Sequence, residues 1–162
     1  MNRNLASKRR SSTGGGRDEA LDDSGLRELV GYQLKRADLA MQKLFAQEIG
    51  EPFQLRQIEF SVLVLLACNE RLTHKRVSAA LGVAPSNMVS VMSALEARGL
   101  VIRRRNPTDG RSSFWQITEA GATLEHRAVL AVRAMEMTRF GIKDEQARRD
   151  LAGSLDSLWA SE

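Results

Sequence analysis

The stretch Leu81-Gly82-Val83-Ala84-Pro85-Ser86-Asn87-Met88-Val89-Ser90-Val91-Met92-Ser93-Ala94-Leu95 decides how this chain folds. Gly82 breaks a short helix whose core positions are Val77, Ala80 and Leu81, with Thr73 as its N-cap. Pro85 then opens a second helix, because its missing N–H would be unpaired in the first turn anyway. That helix keeps Met88, Val91, Met92 and Leu95 at core spacing and closes at Gly99. Two short helices joined by a glycine-containing turn are the helix-turn-helix unit, whose second helix enters the major groove of duplex DNA.

Downstream, Leu100 to Arg105 reads as a strand and Ser113 to Thr118 as its partner. Between them Asn106-Pro107-Thr108-Asp109-Gly110-Arg111 carries strong turn chemistry, since glycine accepts the positive φ of a hairpin turn. The product is a wing loaded with arginine. Alternation puts Arg104 on the face opposite Arg103 and Arg105. Trp115 reads as core at the base of the wing.

Upstream, Leu26, Val30, Leu34, Ala37, Met41, Leu44, Phe45 and Ile49 recur at helical spacing, so one long helix is expected, with Gly50 and Pro52 as its stop. A second helix carries Leu55, Ile58, Val62, Leu65 and Leu66. Its apolar end, Val62 to Cys68, predicts burial on most sides and an inert, buried Cys68 thiol. Beyond the wing, Thr118 caps a long helix to about Arg139 that Gly141 ends. Asp144 caps a last helix with the stripe Ala147, Leu151, Leu155 and Leu158, flanked by Trp159. The expected fold is mainly α with a small β-hairpin wing, a winged helix-turn-helix with long N- and C-terminal helices.

Residues 1–22 mix Ser, Gly, Arg, Asp and Glu and cannot bury enough surface to offset their ordering entropy, so a disordered arm is expected there. Residues 23–162 then form a single domain with a DNA-binding lobe at 55–118 and dimerisation helices at 26–49 and 119–160. In 162 residues, one domain with a real core is the natural division.

The charge is uneven. Within 72–118, Lys75, Arg76, Arg98, Arg103, Arg104, Arg105 and Arg111 face only Glu96 and Asp109, a net +5 in a chain whose total is +4. Such a positive field is the footprint that phosphate binding requires. No apolar run reaches the length of a membrane span, and none follows the basic Lys8-Arg9-Arg10, so neither a membrane partner nor a signal peptide is expected and the address is cytoplasmic. One cysteine and two histidines supply no metal cluster, and no phosphate loop or catalytic triad is present. No cofactor, metal or enzymatic activity is expected.

The element order, with Leu81 to Asn87, Leu95-Glu96-Ala97-Arg98-Gly99-Leu100-Val101, Asp109-Gly110-Arg111, Ile117-Thr118 and Gly121, resembles the MarR family of bacterial transcription regulators. The resemblance covers residues 26 to 160. It implies a homodimer on a pseudo-palindrome, with recognition helices in successive major grooves and wings in flanking minor grooves. Carried over, Pro85, Ser86, Asn87, Ser90 and Ser93 face the major groove, Arg111 enters the minor groove and Asp109 orients it. Arg103 and Arg105 supply backbone affinity. Two positions depart from the family pattern: Ala84 stands where a capping Ser or Thr is usual, and Ser90 and Ala94 replace frequent Arg or Lys, so Asn87 carries most direct base readout.

The resemblance further implies a small-molecule effector, an aromatic or phenolic acid or its thioester. Tyr32, Arg36, Phe60, His74 and His126 are the candidate contacts. Two rival readings are an oxidant sensor acting through Cys68 and a winged-helix module that binds protein. The second would have no need of a wing rich in arginine.

Overall fold

A computed structural model of the chain describes residues 21–105 and 113–158. The expected arm up to residue 20, the wing tip with Asp109 and Arg111, and Trp159 lie outside the described residues. The chain divides into two compact units, Met1–Ala37 and Asp38–Glu162. Among the described residues the elements run α1 (Ser24–Arg27), α2 (Val30–Phe45), a π-helical turn (Ala46–Gly50), α3 (Glu51–Phe53), α4 (Gln57–Ala67), α5 (His74–Ala80), α6 (Pro85–Ala97), β1 (Val101–Arg105), β2 (Ser113–Ile117), α7 (Glu119–Arg139) and α8 (Glu145–Asp156). The fold is mainly helical with one antiparallel hairpin.

The expected first helix differs at both ends. It breaks between α1 and α2, where Asp23 pairs with Arg27 at 2.7 Å and Gln33 Nε2 donates to the Arg27 carbonyl at 2.6 Å. Nor do Gly50 and Pro52 stop it. Phe45 and Ile49 are both buried, and the helix widens into a π turn between them before continuing through Glu51–Phe53. Pro52 is accommodated inside this continuing run, as the second residue of the short segment after the π turn. The chain turns at Gln54, whose φ of 52° is left-handed, and the Leu55 amide donates back to the Gly50 carbonyl at 3.0 Å. The close approach explains Gly50: a Cβ there would stand 3.2 Å from the Leu55 carbonyl oxygen.

The core joins α4, α5, α6, the hairpin and α7. Ile49, Val62, Leu63, Val77, Met88 and Leu95 are completely buried within it. Met88, Val91, Met92 and Leu95 fill the inner face of α6, as their spacing predicts. Strand register pairs Val101 with Ile117, Arg103 with Trp115 and Arg105 with Ser113. Trp115 is buried and takes a second backbone partner beside Arg103: its amide donates to the Leu72 carbonyl at 2.8 Å, and Leu72 N–H donates to the Trp115 carbonyl at 3.4 Å. Thr73, Thr118 and Asp144 cap α5, α7 and α8 through their side chains. Gly82, Gly99 and Gly141 follow α5, α6 and α7 with φ near +60°, the stops expected of them.

Leu151 and Leu155 on α8, with Leu158 just beyond its end, leave a row of exposed leucines. In the N-terminal unit, Leu26, Leu29, Val30 and Leu34 are likewise exposed. No single helix among the described residues is long and apolar enough to cross a membrane.

Candidate nucleic-acid interface

The turn between α5 and α6 is fixed by backbone bonds, Val83 N–H to the Ser78 carbonyl at 3.0 Å and Gly82 N–H to the Ala79 carbonyl at 3.2 Å. α6 starts without a side-chain cap, as the alanine at 84 dictates; the Ala84 carbonyl accepts from Asn87 and Met88 N–H at 3.0 and 3.1 Å. With the inner face committed to the core, Pro85, Ser86, Asn87, Ser90 and Ser93 are all exposed. They occupy one outward surface. Asn87's side-chain amide has no partner among the described residues, so both its donor and acceptor are available. Ser90 Oγ donates to the Asn87 carbonyl at 2.8 Å, which leaves its acceptor side outward. Val89, not singled out by its sequence context, is 55% exposed on the same helix and adds a methyl-bearing surface of the kind that meets a thymine methyl group.

The basic residues fall into two groups. Lys75, Arg76, Arg103, Arg104 and Arg105 are exposed. Arg103 is held in place: its Nε donates to Ser113 Oγ at 2.8 Å and its N–H to Glu96 Oε1 at 3.4 Å. Arg98 is different and leaves the footprint to which its charge assigned it. Its Nη1 donates to the Gln54 carbonyl at 2.8 Å and lies 3.9 Å from Glu59 Oε2. Arg98 therefore ties the end of α6 to the left-handed corner before α4.

Glu59 is the centre of that tie and had no sequence signal of its own. It is buried, accepts from the Arg56 backbone N–H at 2.8 Å and from Arg56 Nη2 at 2.8 Å, and closes a capping box on α4. Burial pushes its carboxyl up, but the side-chain and backbone hydrogen bonds of Arg56, with the charges of Arg56 and Arg98, outweigh that and hold it below the ordinary glutamate value.

A separate cavity of about 420 Å³ opens between α4, α7 and α8, lined by Phe60, Val64, Leu65, Val132, Arg133 and Arg148. Its wall is mostly apolar, with the guanidinium groups of Arg133 and Arg148 and the carboxylate of Glu136 at its edge. Arg148 is paired to Glu145 at 2.7 Å and Glu136 at 3.6 Å. Of the candidate effector contacts, Phe60 alone lines this cavity. His74 begins α5, with Nε2 buried and without a hydrogen-bond partner among the described residues, and His126 is exposed on α7. Tyr32 and Arg36 belong to the N-terminal unit. Cys68 overturns the expectation of a buried thiol: Ala67 and Cys68, at the end of α4, are both exposed, and Cys68 borders the cavity.

The model of the MarR family matches residues 55–113, from just before α4 to the first residue of β2. The transcriptional repressor CouR, solved bound to a 23-mer DNA duplex, is 34% identical, superposes with a TM-score of 0.76, and the match covers 88% of this chain and 99% of that one. The chain belongs to the MarR family. A second CouR structure, from Rhodococcus jostii RHA1 bound to p-coumaroyl-CoA, is 29% identical with a TM-score of 0.72, covering 82% of this chain and 93% of that one. The protein named as transcriptional regulatory protein for the hcr operon of Thauera aromatica is 27% identical over 80% of this chain and 78% of its own length. This MarR-family chain thus carries the winged helix-turn-helix of a family of transcription regulators.

Proposed function

We propose that this MarR-family protein is a ligand-responsive repressor that binds a pseudo-palindromic operator as a homodimer in the bacterial cytoplasm, and has no catalytic role. The observation that carries the reading is the outward face of α6, where Pro85, Ser86, Asn87, Ser90 and Ser93 stand exposed over a fully packed inner face. Exposed polar side chains on a rigid helix beside an arginine-rich hairpin suit groove readout with phosphate anchoring. Asn87 reads an adenine edge, and Arg103, Arg105 and Arg111 supply electrostatic affinity, with Asp109 orienting Arg111. The exposed leucines of α8 and of the N-terminal unit suit a second copy of the chain. The relative CouR, solved with a DNA duplex and with p-coumaroyl-CoA, supports both the DNA and the effector.

The effector is an aromatic or phenolic acid or its thioester. The cavity beside Phe60 combines apolar walls with the guanidinium of Arg133, while Arg148 is already paired with Glu136 and Glu145; this suits an aromatic body with an anionic end directed at Arg133. Titration of a fluorescent duplex across a salt series tests the core of the reading. Steep weakening with salt, through counterion release, is expected. Absent or salt-independent binding would favour a protein-interaction module instead. A second reading, oxidant sensing through Cys68, gains support from the exposure of that thiol; peroxide that releases the duplex from wild type but not from Cys68→Ser would establish it.

A further inference from the structure

The antiparallel register divides the wing into two faces. Arg104 stands opposite Phe114 and Ile102 opposite Gln116, so these four share the face away from Arg103, Arg105 and Trp115. Phe114 is nonetheless buried. The guanidinium carbon of Arg71 lies over its ring, 5.3 Å from the centroid. Arg71 is placed there by its neighbour, because Leu72 is stitched to Trp115 by a reciprocal pair of backbone hydrogen bonds. Two exposed arginines, one from the loop before α5 and one from β1, therefore share Phe114 as a neighbour.

Stacking occupies the flat face of a guanidinium and leaves its N–H edge open. Among the described residues neither Arg71 nor Arg104 has a hydrogen bond or an ion pair. Arg71 is thus held by the ring while its donors meet no acceptor among the described residues. A planar, prepositioned fork of donors suits a phosphate bidentately, with little rotamer freedom left to lose on binding. The surroundings are basic: Arg71 precedes the exposed Lys75 and Arg76 at the start of α5, with Glu70 the neighbouring acid.

We propose that Arg71 and Arg104, arranged around Phe114, form a second phosphate-contacting surface of the wing that grips the sugar-phosphate backbone of duplex DNA. The inference rests on the DNA-binding reading above and extends the interface to the wing face that carries no groove-reading residue. It also gives Arg71 a role, although that residue lies just outside the basic segment 72–118. Contacts of this kind position the protein and add affinity without reading bases.

The test uses the full-length protein, a duplex selected by it from a random-sequence pool, and a scrambled duplex. Fluorescence anisotropy across a salt series is read for wild type, Arg71→Ala, Arg104→Ala, the double variant and Arg71→Lys. Each alanine variant is expected to weaken both duplexes alike, by about 3- to 10-fold, and to reduce the salt slope by about one per lost contact. Arg71→Lys, which keeps the charge and loses the planar fork, should recover only part of the affinity. Arg104→Ala removes an exposed side chain that makes no hydrogen bond or ion pair among the described residues, so folding, checked by thermal melting, should not confound it. Wild-type affinity and slope in both alanine variants would overturn the proposal, as would a loss confined to the selected duplex. Failure of the wild-type protein to bind either duplex would overturn the DNA-binding reading itself.

Discussion

Gly121 lies so close beneath Leu100 that a Cβ at position 121 would overlap the Leu100 carbonyl oxygen and stand 2.8 Å from Ile117 Cγ1. The approach is drawn tight by Thr118, whose hydroxyl accepts from Gly121 N–H at 3.0 Å and donates to the Gly99 carbonyl at 2.7 Å. One threonine thereby caps α7 and pins the start of that helix to the corner where α6 becomes β1. Gly121→Ala should cost about 1–3 kcal/mol or more, because backbone rather than a flexible side chain must give way. Thr118→Ala should cost about 1 kcal/mol through the lost cap. Urea denaturation measures both, and a Gly121→Ala variant within about 0.5 kcal/mol of wild type would contradict the packing described.

The tie between Glu59 and Arg98 makes stability depend on pH in a definite direction. The folded protein favours the Glu59 carboxylate more than the unfolded chain does. Its contribution is therefore complete above the ordinary glutamate range and is lost as pH falls through and below it. Glu59→Gln should destabilise by about 1–3 kcal/mol at neutral pH, since Arg56 and Arg98 lose a charged acceptor. That difference from wild type should shrink below about pH 4. A constant difference from pH 7 to 3, measured by denaturant titration, would show that the charge of Glu59 contributes nothing.

The helix-turn-helix was legible because its signals are local. Pro85, Gly82, Gly99 and the spacing of Met88, Val91, Met92 and Leu95 each dictate their own conformation. The stop of the first long helix was not, because Gly50 and Pro52 are compatible with a π turn followed by a new helical turn, and the decision fell to the burial of Phe45 and Ile49. The Leu72 and Trp115 bridge involves one residue on one side and leaves no periodicity to find. Glu59 carries no local sign of burial: Arg56, three residues back, supplies its hydrogen bonds, but its burial and the approach of Arg98, 39 positions along, are set by tertiary packing. The apolar run Val62 to Cys68 predicts burial on most sides, but α4 gives only Val62, Leu63 and Leu66 of it to the core, and Ala67 and Cys68 at its end are exposed.

Ala84 has the φ of −54° and ψ of 134° of a residue entering a helix, yet offers no side-chain acceptor to the first turn of α6. Ala84→Ser or Ala84→Asp should supply one and raise stability by about 1 kcal/mol. The two differ at the DNA, where the added carboxylate of the aspartate should repel phosphate and the serine should not. Thermal melting and duplex titration read the two effects separately. No gain in melting temperature for either variant would mean that Pro85 already compensates for the missing cap.

Base readout and backbone affinity should separate between α6 and the wing. Asn87→Ala should relax sequence preference in the central half-site by about 1–3 kcal/mol of discrimination. Arg111→Ala should instead weaken binding at flanking A·T-rich positions. Footprinting of both variants on the selected duplex decides the matter. Unchanged footprints and affinities in both would require a different docked orientation.

The exposed thiol at the border of the Phe60 cavity provides a reporter for the effector. Cys68 is the sole cysteine in the chain, so maleimide labelling follows that one site. An aromatic acid or its thioester seated against Phe60, Val64 and Val132 would cover part of the approach to Cys68. Labelling should therefore slow as the effector is added, with the same midpoint as the release of duplex, because both follow one occupancy. Arg133→Ala should move both midpoints to higher effector concentration, whereas substitution of the exposed His126 should move neither. Release of the duplex with no change in the labelling rate, or loss of the response in the His126 variant alone, would place the effector elsewhere in the protein.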